Sequence, residues 1–166
     1  LNGYLDLSRI GITGHSFGGS TVALTANRDE RVKAVSLIDG WMNPLPQDVI
    51  RNGIDQPYLY MGRPSWVDSD YPSSPSISEV LHSNNNGPSH HIIIKNTRHL
   101  NFCDAPLFTP IGKYLVEIGN INRKRSVELV NQLSLEFFDK YLRQKPSAIL
   151  SGSIEVPEFI FSNNFE

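Results

Sequence analysis

The sequence predicts an α/β fold, in which a parallel β-sheet carries helices on both of its faces. Strand-like and helix-like segments alternate along the chain, which is typical of parallel strands joined by right-handed crossovers. Residues 32–38 form a nearly continuous apolar run, as a strand buried on both faces of a sheet requires. A short strand, a glycine-rich turn and a helix also follow one another over residues 9–27. These observations predict three layers, with the sheet in the middle.

The predicted strands cover residues 9–13, 32–38, 57–62 and 91–95. The first is marked by β-branched residues and the second by its apolar run. The third opens with Pro57, at the end of a strand where a missing N–H matters least. All four are expected to pair in parallel, because helical or loop segments separate them.

The predicted helices cover residues 17–27, 77–82 and 125–143. Residues 63–76 are rich in proline and serine and are predicted to form an excursion loop. The tail beyond Pro146 is weakly patterned. The last helix has the strongest periodicity. Its predicted inner face consists of Val127, Val130, Leu133, Leu135, Phe137, Phe138, Tyr141 and Leu142.

Composition limits the classes of function. The 166 residues are 39% hydrophobic and carry a formal net charge of -2, which suits one globular domain. The basic residues are dispersed apart from residues 123–125, so we expect no nucleic-acid partner. Cys103 is the single cysteine, which excludes an internal disulfide and a thiolate metal site. No apolar stretch of the sequence approaches the length of a membrane span, and no metal-binding motif is present.

The segment 14–19, Gly-His-Ser-Phe-Gly-Gly, is the strongest candidate for chemistry. It matches the G-x-S-x-G pattern in the strand–turn–helix context in which that pattern marks a nucleophilic serine. Ser16 would occupy the strained turn, and Gly14 and Gly18 would flank it because a Cβ at either position would clash. The backbone N–H of Phe17, at the start of the helix, would point to where an oxyanion forms. The alternative is an ordinary strand-to-helix turn with a solvated serine, but such a turn gives no reason for a second glycine, Gly19, on the helix side.

Two further residues follow predicted strands and are expected at the same edge of the sheet. Asp39 directly ends the second strand, and His99 lies four residues beyond the fourth. In parallel sheets, functional sites gather at the carboxyl ends of the strands. The order Ser16, Asp39, His99 is also the order of the α/β-hydrolase triad. Competing acids lie in loops whose positions cannot be assigned; they are Asp48, Asp55, Asp68, Asp70 and Asp104.

The other histidines fit the role of base less well. His15 is expected to pack at the elbow, pointing away from a pocket that Ser16 faces. His90 and His91 begin the fourth strand and so belong to the wrong end of the sheet. His82 is expected to end a surface helix. His99 remains by elimination, although a lone histidine in a loop is more often merely solvated.

Three segments carry a resemblance to a known family. Residues 14–19, residues 37–45 (Leu-Ile-Asp-Gly-Trp-Met-Asn-Pro-Leu) and residues 99–104 (His-Leu-Asn-Phe-Cys-Asp) together resemble the platelet-activating factor acetylhydrolase family. These enzymes are serine-dependent, calcium-independent phospholipases A2 of the α/β-hydrolase fold. Cys103 and residues 105–107 depart from the pattern expected after the histidine, which bears on lipid contact more than on chemistry.

The resemblance implies a mechanism and a substrate class. Ser16 would be the nucleophile, Asp39 the acid and His99 the base, and no cofactor or metal would be needed. The substrate would be a phospholipid with a short or oxidised sn-2 acyl chain, such as platelet-activating factor. A general carboxylesterase or lipase of the same fold and a non-catalytic, hydrolase-like binding module remain as alternatives.

The resemblance also implies that residues 1–166 are the carboxyl-terminal portion of one α/β-hydrolase domain. In the family, earlier strands and the second oxyanion-hole donor precede the elbow, whereas only residues 1–8 precede it here. We therefore expect the amino-terminal half of the domain to be a partner of this chain. The chain alone is expected to be poorly soluble or inactive, because the edge of the elbow strand would be unpaired.

Two sets of residues are candidates for contact with substrate or lipid. Trp41, Met42 and Leu45 follow the acid and are expected to wall the pocket, with ordinary packing as the alternative. Residues 106–119 are apolar with partly helical spacing, which would suit either a core helix or peripheral contact with a membrane or lipoprotein. The candidate lipid-facing residues are Leu107, Phe108, Ile111, Tyr114, Leu115 and Val116. Either a secreted location or a cytoplasmic one with peripheral membrane association would fit.

Overall fold

One mixed β-sheet forms the centre of the protein. The structure is a computed structural model, and it describes residues 3–108 and 117–162. In this part of the chain the sheet has five strands in the order β1-β2-β3-β4-β5. The strands are β1 (Ile10–His15), β2 (Val32–Ile38), β3 (Tyr58–Gly62), β4 (Ser89–Ile94) and β5 (Phe159–Phe161).

The helices lie between the strands, as the alternating pattern predicts. Over the described residues they are α1 (Phe17–Arg28), α2 (Gln47–Asn52), α3 (Ser74–Ser83), α4 (Ala105–Phe108) and α5 (Arg123–Arg143). A 3₁₀ turn, His99–Phe102, follows β4. Each of the four predicted strands has a counterpart within three residues at either end.

The sheet is parallel from β1 to β4 and antiparallel at its last strand. The weakly patterned tail beyond Pro146 thus contains a strand that the sequence did not indicate, β5, where Ile160 pairs with Ile93 in the antiparallel sense. This strand has only three residues, and Ile160 is exposed. So short an edge strand shows no alternation by which a sequence pattern could reveal it.

Among the described residues, two separate apolar cores lie on the two faces of the sheet. The alternating side chains of β3 divide between them, with Tyr58 and Tyr60 in one core and Leu59 and Met61 in the other. The first core also contains residues of α1, α2 and α3, and the second packs against α5. Side chains of successive strand residues point to opposite faces. The three layers of the sequence prediction are therefore present.

Helix α5 begins two residues earlier than predicted and buries a different stripe. Leu129, Leu133 and Phe137, spaced four residues apart, are fully buried, and Leu129 was not among the predicted inner residues. Leu135 was predicted to face inward but is 62% exposed. It lies two residues from Leu133, which places it about half a turn away on the helix surface.

Helix α3 extends into the segment predicted as a loop. It begins at Ser74, and Pro75 stands in its first turn, where the missing N–H costs no hydrogen bond. His82, predicted to end a surface helix, is only 5% exposed. Its ring packs against the ring of Tyr58, with centroids 6.2 Å apart.

The candidate lipid-contact segment is described only at its start. Leu107 and Phe108 end the short helix α4, and both are exposed. The other candidates, Ile111, Tyr114, Leu115 and Val116, lie outside the described residues. Over residues 3–108 and 117–162, no helix combines the length and apolar character that a membrane span needs.

Candidate active site

Ser16 stands at the sharp turn between β1 and α1. Its φ of 58° and ψ of -122° are rare for a residue with a side chain. Hydrogen bonds hold the turn on both sides: the Ser16 N–H donates to the Ile38 carbonyl over 3.1 Å, and the Trp41 N–H donates to the Ser16 carbonyl over 2.8 Å. The strained geometry predicted for the nucleophile turn is present.

The glycines around Ser16 have different steric roles. A Cβ on Gly14 would overlap the Gly18 carbonyl, as predicted, and a Cβ on Gly19 would lie 2.6 Å from the Gly40 Cα. A Cβ on Gly18 would meet nothing within 4 Å, so the prediction that it would clash is wrong. Gly19 allows α1 to approach the loop after β2.

Asp39 follows β2 directly and is fully buried. Its backbone has a positive φ of 41°, and its N–H donates to the Met61 carbonyl over 2.7 Å. One carboxylate oxygen, Oδ1, accepts the backbone N–H of Arg63 over 3.0 Å. The other, Oδ2, lies 2.6 Å from Nδ1 of His99. The carboxylate is therefore aimed at the imidazole.

His99 begins the 3₁₀ turn after β4, and its Nε2 lies 2.9 Å from Oγ of Ser16. Asn101, almost fully buried, fixes this turn: its Oδ1 accepts the N–H groups of Arg98 over 2.8 Å and Gly119 over 2.6 Å. The structure thus brings Ser16, His99 and Asp39 into one continuous hydrogen-bonded series. The sequence predicted a loop rather than a turn at this position.

His15 packs directly on the candidate base. Its ring lies 4.6 Å from the His99 ring, centroid to centroid, and its Nε2–H donates to the His99 carbonyl over 3.3 Å. Burial, and secondly the nearby His99 ring, lower the pKa of His15, which favours the neutral imidazole. The elbow histidine therefore supports His99, a contact that the sequence prediction of simple elbow packing did not include.

The remaining histidines lie away from Ser16. His90 and His91 begin β4 as predicted, and burial lowers the pKa of each to about 4. The His91 ring stacks on Tyr60 with centroids 4.6 Å apart. Neither can serve as the base for a serine at the opposite end of the strands.

A cavity of about 330 Å³ opens beside Ser16 and His99. Trp41 lines it, as predicted for a pocket residue, together with Arg63, Trp66 and Tyr71. The last three come from the segment predicted as an excursion loop, which therefore forms a wall of the cavity. The Trp41 and Tyr71 rings are in contact, with centroids 4.3 Å apart.

Met42 and Leu45 do not line this cavity. Both are buried in the core that α1, α2 and α3 share with the sheet. The Met42 N–H donates to Oγ of Ser74, which turns the chain after Trp41 into the interior. The prediction that these two residues wall the pocket is therefore wrong, and the alternative, ordinary packing in the core, is what the structure has. Their position next to an acid at a strand end did not distinguish the two outcomes.

Sequence reasoning missed Arg63 and Trp66. Arg63 directly follows β3, so the rule that selected Asp39 after β2 would also have selected it. Its proline- and serine-rich surroundings concealed that signal. Trp66 is buried, and its ring contacts the His99 ring edge-on at 5.7 Å.

The start of α1 supplies a free donor beside Ser16. Phe17 is the first residue of the helix, so its backbone N–H has no acceptor within α1. Its side chain is exposed and lies 5.8 Å from the Trp41 ring, between centroids. Within the described part of the chain, no group of three His, Cys, Asp or Glu side chains is placed to hold a metal ion.

A solved structure has the same fold. The chain aligns with a ferulic acid esterase from Streptomyces cinnamoneus with a TM-score of 0.78 and 24% sequence identity, over 96% of this chain and 48% of the esterase chain. The likeness confirms the predicted α/β-hydrolase fold class.

Sequence comparisons identify relatives along nearly the whole chain. Platelet-activating factor acetylhydrolase of Cavia porcellus is 32% identical over 96% of this chain and 37% of its own length. That of Gallus gallus is 29% identical over 85% of this chain and 33% of its own length. A probable 1-alkyl-2-acetylglycerophosphocholine esterase of Arthroderma benhamiae is 30% identical over 93% of this chain and 43% of its own length. The chain thus spans less than half the length of these relatives.

A family profile decides the assignment. The profile described as "Platelet-activating factor acetylhydrolase, isoform II" matches residues 1–149, which include all three segments that carried the resemblance. The chain therefore belongs to the platelet-activating factor acetylhydrolase family, isoform II.

Proposed function

We propose that this chain carries the catalytic triad of a serine esterase that hydrolyses the short or oxidised sn-2 acyl ester of phospholipids such as platelet-activating factor. The observation that carries the proposal is the series from Ser16 Oγ to His99 Nε2, 2.9 Å, and from His99 Nδ1 to Asp39 Oδ2, 2.6 Å. A nucleophile, a base and an orienting acid within such distances are the requirement for acyl transfer.

The proposed reaction proceeds through an acyl-enzyme. His99 Nε2 takes the proton of Ser16 as Oγ attacks the ester carbonyl carbon. The ester C–O bond then breaks, and His99 returns the proton to the oxygen of the departing lysophospholipid. Water attacks the acyl-enzyme in the same manner and releases the carboxylic acid. Asp39 fixes the imidazole tautomer and stabilises the imidazolium in both halves of the reaction.

The Phe17 N–H is the proposed oxyanion donor in this chain. It is unused within α1 and adjoins Ser16, which suits a carbonyl oxygen that becomes negative during attack. In enzymes of this fold a second N–H comes from a loop before the elbow strand. The loss of one such donor costs about 10²- to 10³-fold in turnover. We propose that preceding sequence supplies the second donor and completes the domain.

The choice of a phospholipid rests on family membership. The matching relatives are named for platelet-activating factor or for 1-alkyl-2-acetylglycerophosphocholine. The cavity beside Ser16, with exposed Tyr71 and partly exposed Trp41 on its wall, supplies apolar surface for a lipid ester. A carboxylesterase for soluble esters would use the same triad, so substrate comparison must separate the two.

The test uses the natural full-length protein and a fluorophosphonate probe, which labels an activated serine. The wild type should be labelled and should hydrolyse acetylated phospholipid, whereas Ser16→Ala should lose both properties and remain folded by circular dichroism. Ser83→Ala, at the exposed end of α3, is the control and should behave as wild type. An unlabelled wild type would support a non-catalytic binding module instead.

Substrate comparison decides between the two esterase functions. Acetylated and oxidised phospholipids should have a higher kcat/KM than long-chain phospholipids or soluble aryl esters. Faster hydrolysis of the aryl or long-chain esters would contradict the proposed substrate class and favour a general carboxylesterase.

We also propose peripheral contact with a lipid surface through Leu107 and Phe108. Phe108 is 81% exposed at the end of α4, a helix that packs against the turn carrying His99. Phe108→Asp should weaken co-sedimentation with phosphatidylcholine vesicles, while Leu135→Asp, an exposed apolar residue on α5, should not. Equal binding of both folded variants and the wild type would contradict the lipid role.

A further inference from the structure

Arg63 is a buried cation directly behind the proposed acid. It follows the last residue of β3, and its side chain is only 4% exposed. Its Nε lies 3.4 Å from Asp39 Oδ2. Over the described residues this Nε–H finds no hydrogen-bond acceptor, so its contact with Asp39 is an ion pair without a hydrogen bond.

Two other side chains hold the guanidinium in place. Its central carbon lies 4.0 Å from the centroid of the Trp66 ring, a cation–π distance. Its Nη1 lies 2.7 Å from Oε1 of Glu117, whose side chain is 42% exposed at the cavity wall. Arg63 is therefore fixed by an aromatic face and by a second carboxylate, in addition to Asp39.

Carboxylates and basic groups alternate along the series of contacts from His99 to Asp39, Arg63 and Glu117. A buried carboxylate is costly unless a nearby positive charge compensates for the lost water. Before His99 takes up the serine proton, Arg63 supplies that charge for Asp39. When His99 gains the serine proton, Asp39 faces a cation on each side, and Glu117 partly offsets the charge of Arg63.

We propose that Arg63 is a positioning residue: it holds the Asp39 carboxylate in place and aimed at His99, and Glu117 tempers the effect of the Arg63 charge on the imidazole. The inference rests on the proposed esterase function, because it assigns Arg63 a role in the same triad. Within the described part of the chain Arg63 forms no hydrogen bond with the serine oxygen or the imidazole, and it acts through Asp39.

Several charged or titratable groups of the described residues lie near the imidazole or line the same cavity. Tyr60, on β3 near Asp39, remains neutral because burial raises its pKa well above the usual value. The others surround His99 from separate elements or line the same cavity; they are His15, Asp39, Arg63, Glu117, Asp68 and Asp70.

Removing each half of the Arg63–Glu117 pair should have opposite effects on pH dependence. In Arg63→Met the positive charge beside Asp39 is lost, so the imidazole is protonated more readily and the acidic limb of the kcat/KM profile should move up by about one pH unit. In Glu117→Gln the charge of Arg63 is less offset, so the limb should move down. That shift should be smaller, about a few tenths of a pH unit, because Glu117 is partly exposed and screened.

The experiment measures the pH profiles of the full-length wild type, both variants, Arg63→Lys and a control. Arg63→Met should lower kcat about 10- to 100-fold with KM changed less than about threefold, because Asp39 loses orientation while the cavity remains. Arg63→Lys keeps the charge and should recover part of the loss. Arg28→Met removes an exposed arginine that pairs with Asp48 over 2.8 Å, and should match the wild type.

A second readout does not depend on hydrolysis. The pH at which the NMR signals of the His99 ring change should rise in Arg63→Met and fall in Glu117→Gln. If the wild type hydrolyses no ester but these opposite shifts occur, the esterase function fails and the coupling of Arg63 to His99 stands. Unshifted profiles and ring signals in the folded variants would overturn the role of Arg63. If Arg63→Met does not fold, Arg63→Lys and Glu117→Gln decide by the same criteria.

Discussion

The histidines of this protein lie in two groups at opposite ends of the parallel strands, and the groups differ in their hydrogen-bond partners. The carboxyl-terminal group is His15 and His99, and the amino-terminal group is His82, His90 and His91. At the carboxyl ends, His99 has a carboxylate on one ring nitrogen and a serine hydroxyl on the other. At the amino ends, the His91 ring bonds to the hydroxyl groups of Ser78 and Ser162, its only side-chain partners among the described residues, and stacks on Tyr60. His82, beside it, forms no hydrogen bond with the described residues through either ring nitrogen.

The difference teaches that the hydrogen-bond partners of a histidine, and not the residue type alone, decide whether its ring is suited to act as a general base. A general base needs a proton donor to serve and a counter-charge for the imidazolium that it becomes. No carboxyl group of the described residues hydrogen-bonds to a ring of the amino-terminal group, and burial lowers the pKa of both His82 and His91. Those rings are suited to packing as neutral groups.

The largest effect expected from this comparison is the loss of activity in His99→Ala. Removing the base of a serine hydrolase lowers kcat by about 10⁶-fold, because the serine is no longer deprotonated. His91→Ala should leave kcat within about threefold of wild type while lowering the melting temperature, since it removes a buried ring. Steady-state hydrolysis of acetylated phospholipid, with thermal unfolding in parallel, measures both. Comparable kcat losses in the two variants would show that the division into two groups is wrong.

Asp39→Asn should have the next largest effect, about 10⁴-fold on kcat. The amide keeps the shape of the side chain but favours the wrong tautomer of His99 and leaves the imidazolium without its counter-charge. The control is Asp48→Asn, an exposed carboxylate on α2 that pairs with Arg28. Full activity of Asp39→Asn would mean that the 2.6 Å contact between Asp39 and His99 has no catalytic role.

His91 should make the folded protein sensitive to mild acid. Its pKa is about 4 in the folded state, against 6.5 for an ordinary histidine, so below pH 6.5 the unfolded chain binds a proton that the folded protein refuses. Stability is therefore retained above pH 6.5 and falls as the pH decreases towards 4, by about 3 kcal/mol at most. His91→Phe should show a shallower decline in melting temperature over this range than the wild type. Parallel declines would exclude His91 as the source.

The smallest effect is expected for His15→Phe. Phenylalanine keeps the ring that packs on His99 but removes the Nε2–H that bonds to the His99 carbonyl over 3.3 Å. A bond this long contributes about 0.5–1.5 kcal/mol, which corresponds to a loss of about 2- to 10-fold in kcat through poorer placement of the base. A loss as large as that of His99→Ala would place His15 in the chemistry itself.

The sequence was sufficient to predict the location of residues that stand at a strand end. Ser16, Asp39 and His99 each come directly or within a few residues after a strand, and the structure brings them together. Arg63 meets the same criterion, but its serine- and proline-rich surroundings resembled an open loop. Position along a strand predicted which end of the sheet a residue reaches. It did not predict whether a neighbouring side chain turns into a cavity.

It was harder to predict whether an apolar residue enters the core or lines the cavity, because apolar side chains fit both environments. Met42 and Leu45 lie close in sequence to Trp41, yet they enter the core while Trp41 faces the cavity. Leu129 and Leu135 are alike in type and differ only in their angle around α5. Burial of His82 depends on tertiary contacts of its ring with Tyr58 and His91, which no local sequence pattern contains.

The close approach of Gly19 to Gly40 joins the nucleophile turn to the loop that carries the acid, and the bond from the Trp41 N–H to the Ser16 carbonyl ties the same two segments. This contact limits how substrate preference can be redesigned. A side chain on either glycine would push the two segments apart and disturb the alignment of the Ser16 hydroxyl, the His99 ring and the Asp39 carboxylate. The loop of residues 66–71 also lines the cavity, but it is not part of this contact between the two glycines. Laboratory evolution towards bulkier acyl groups should therefore accumulate its useful changes in that loop and keep both glycines.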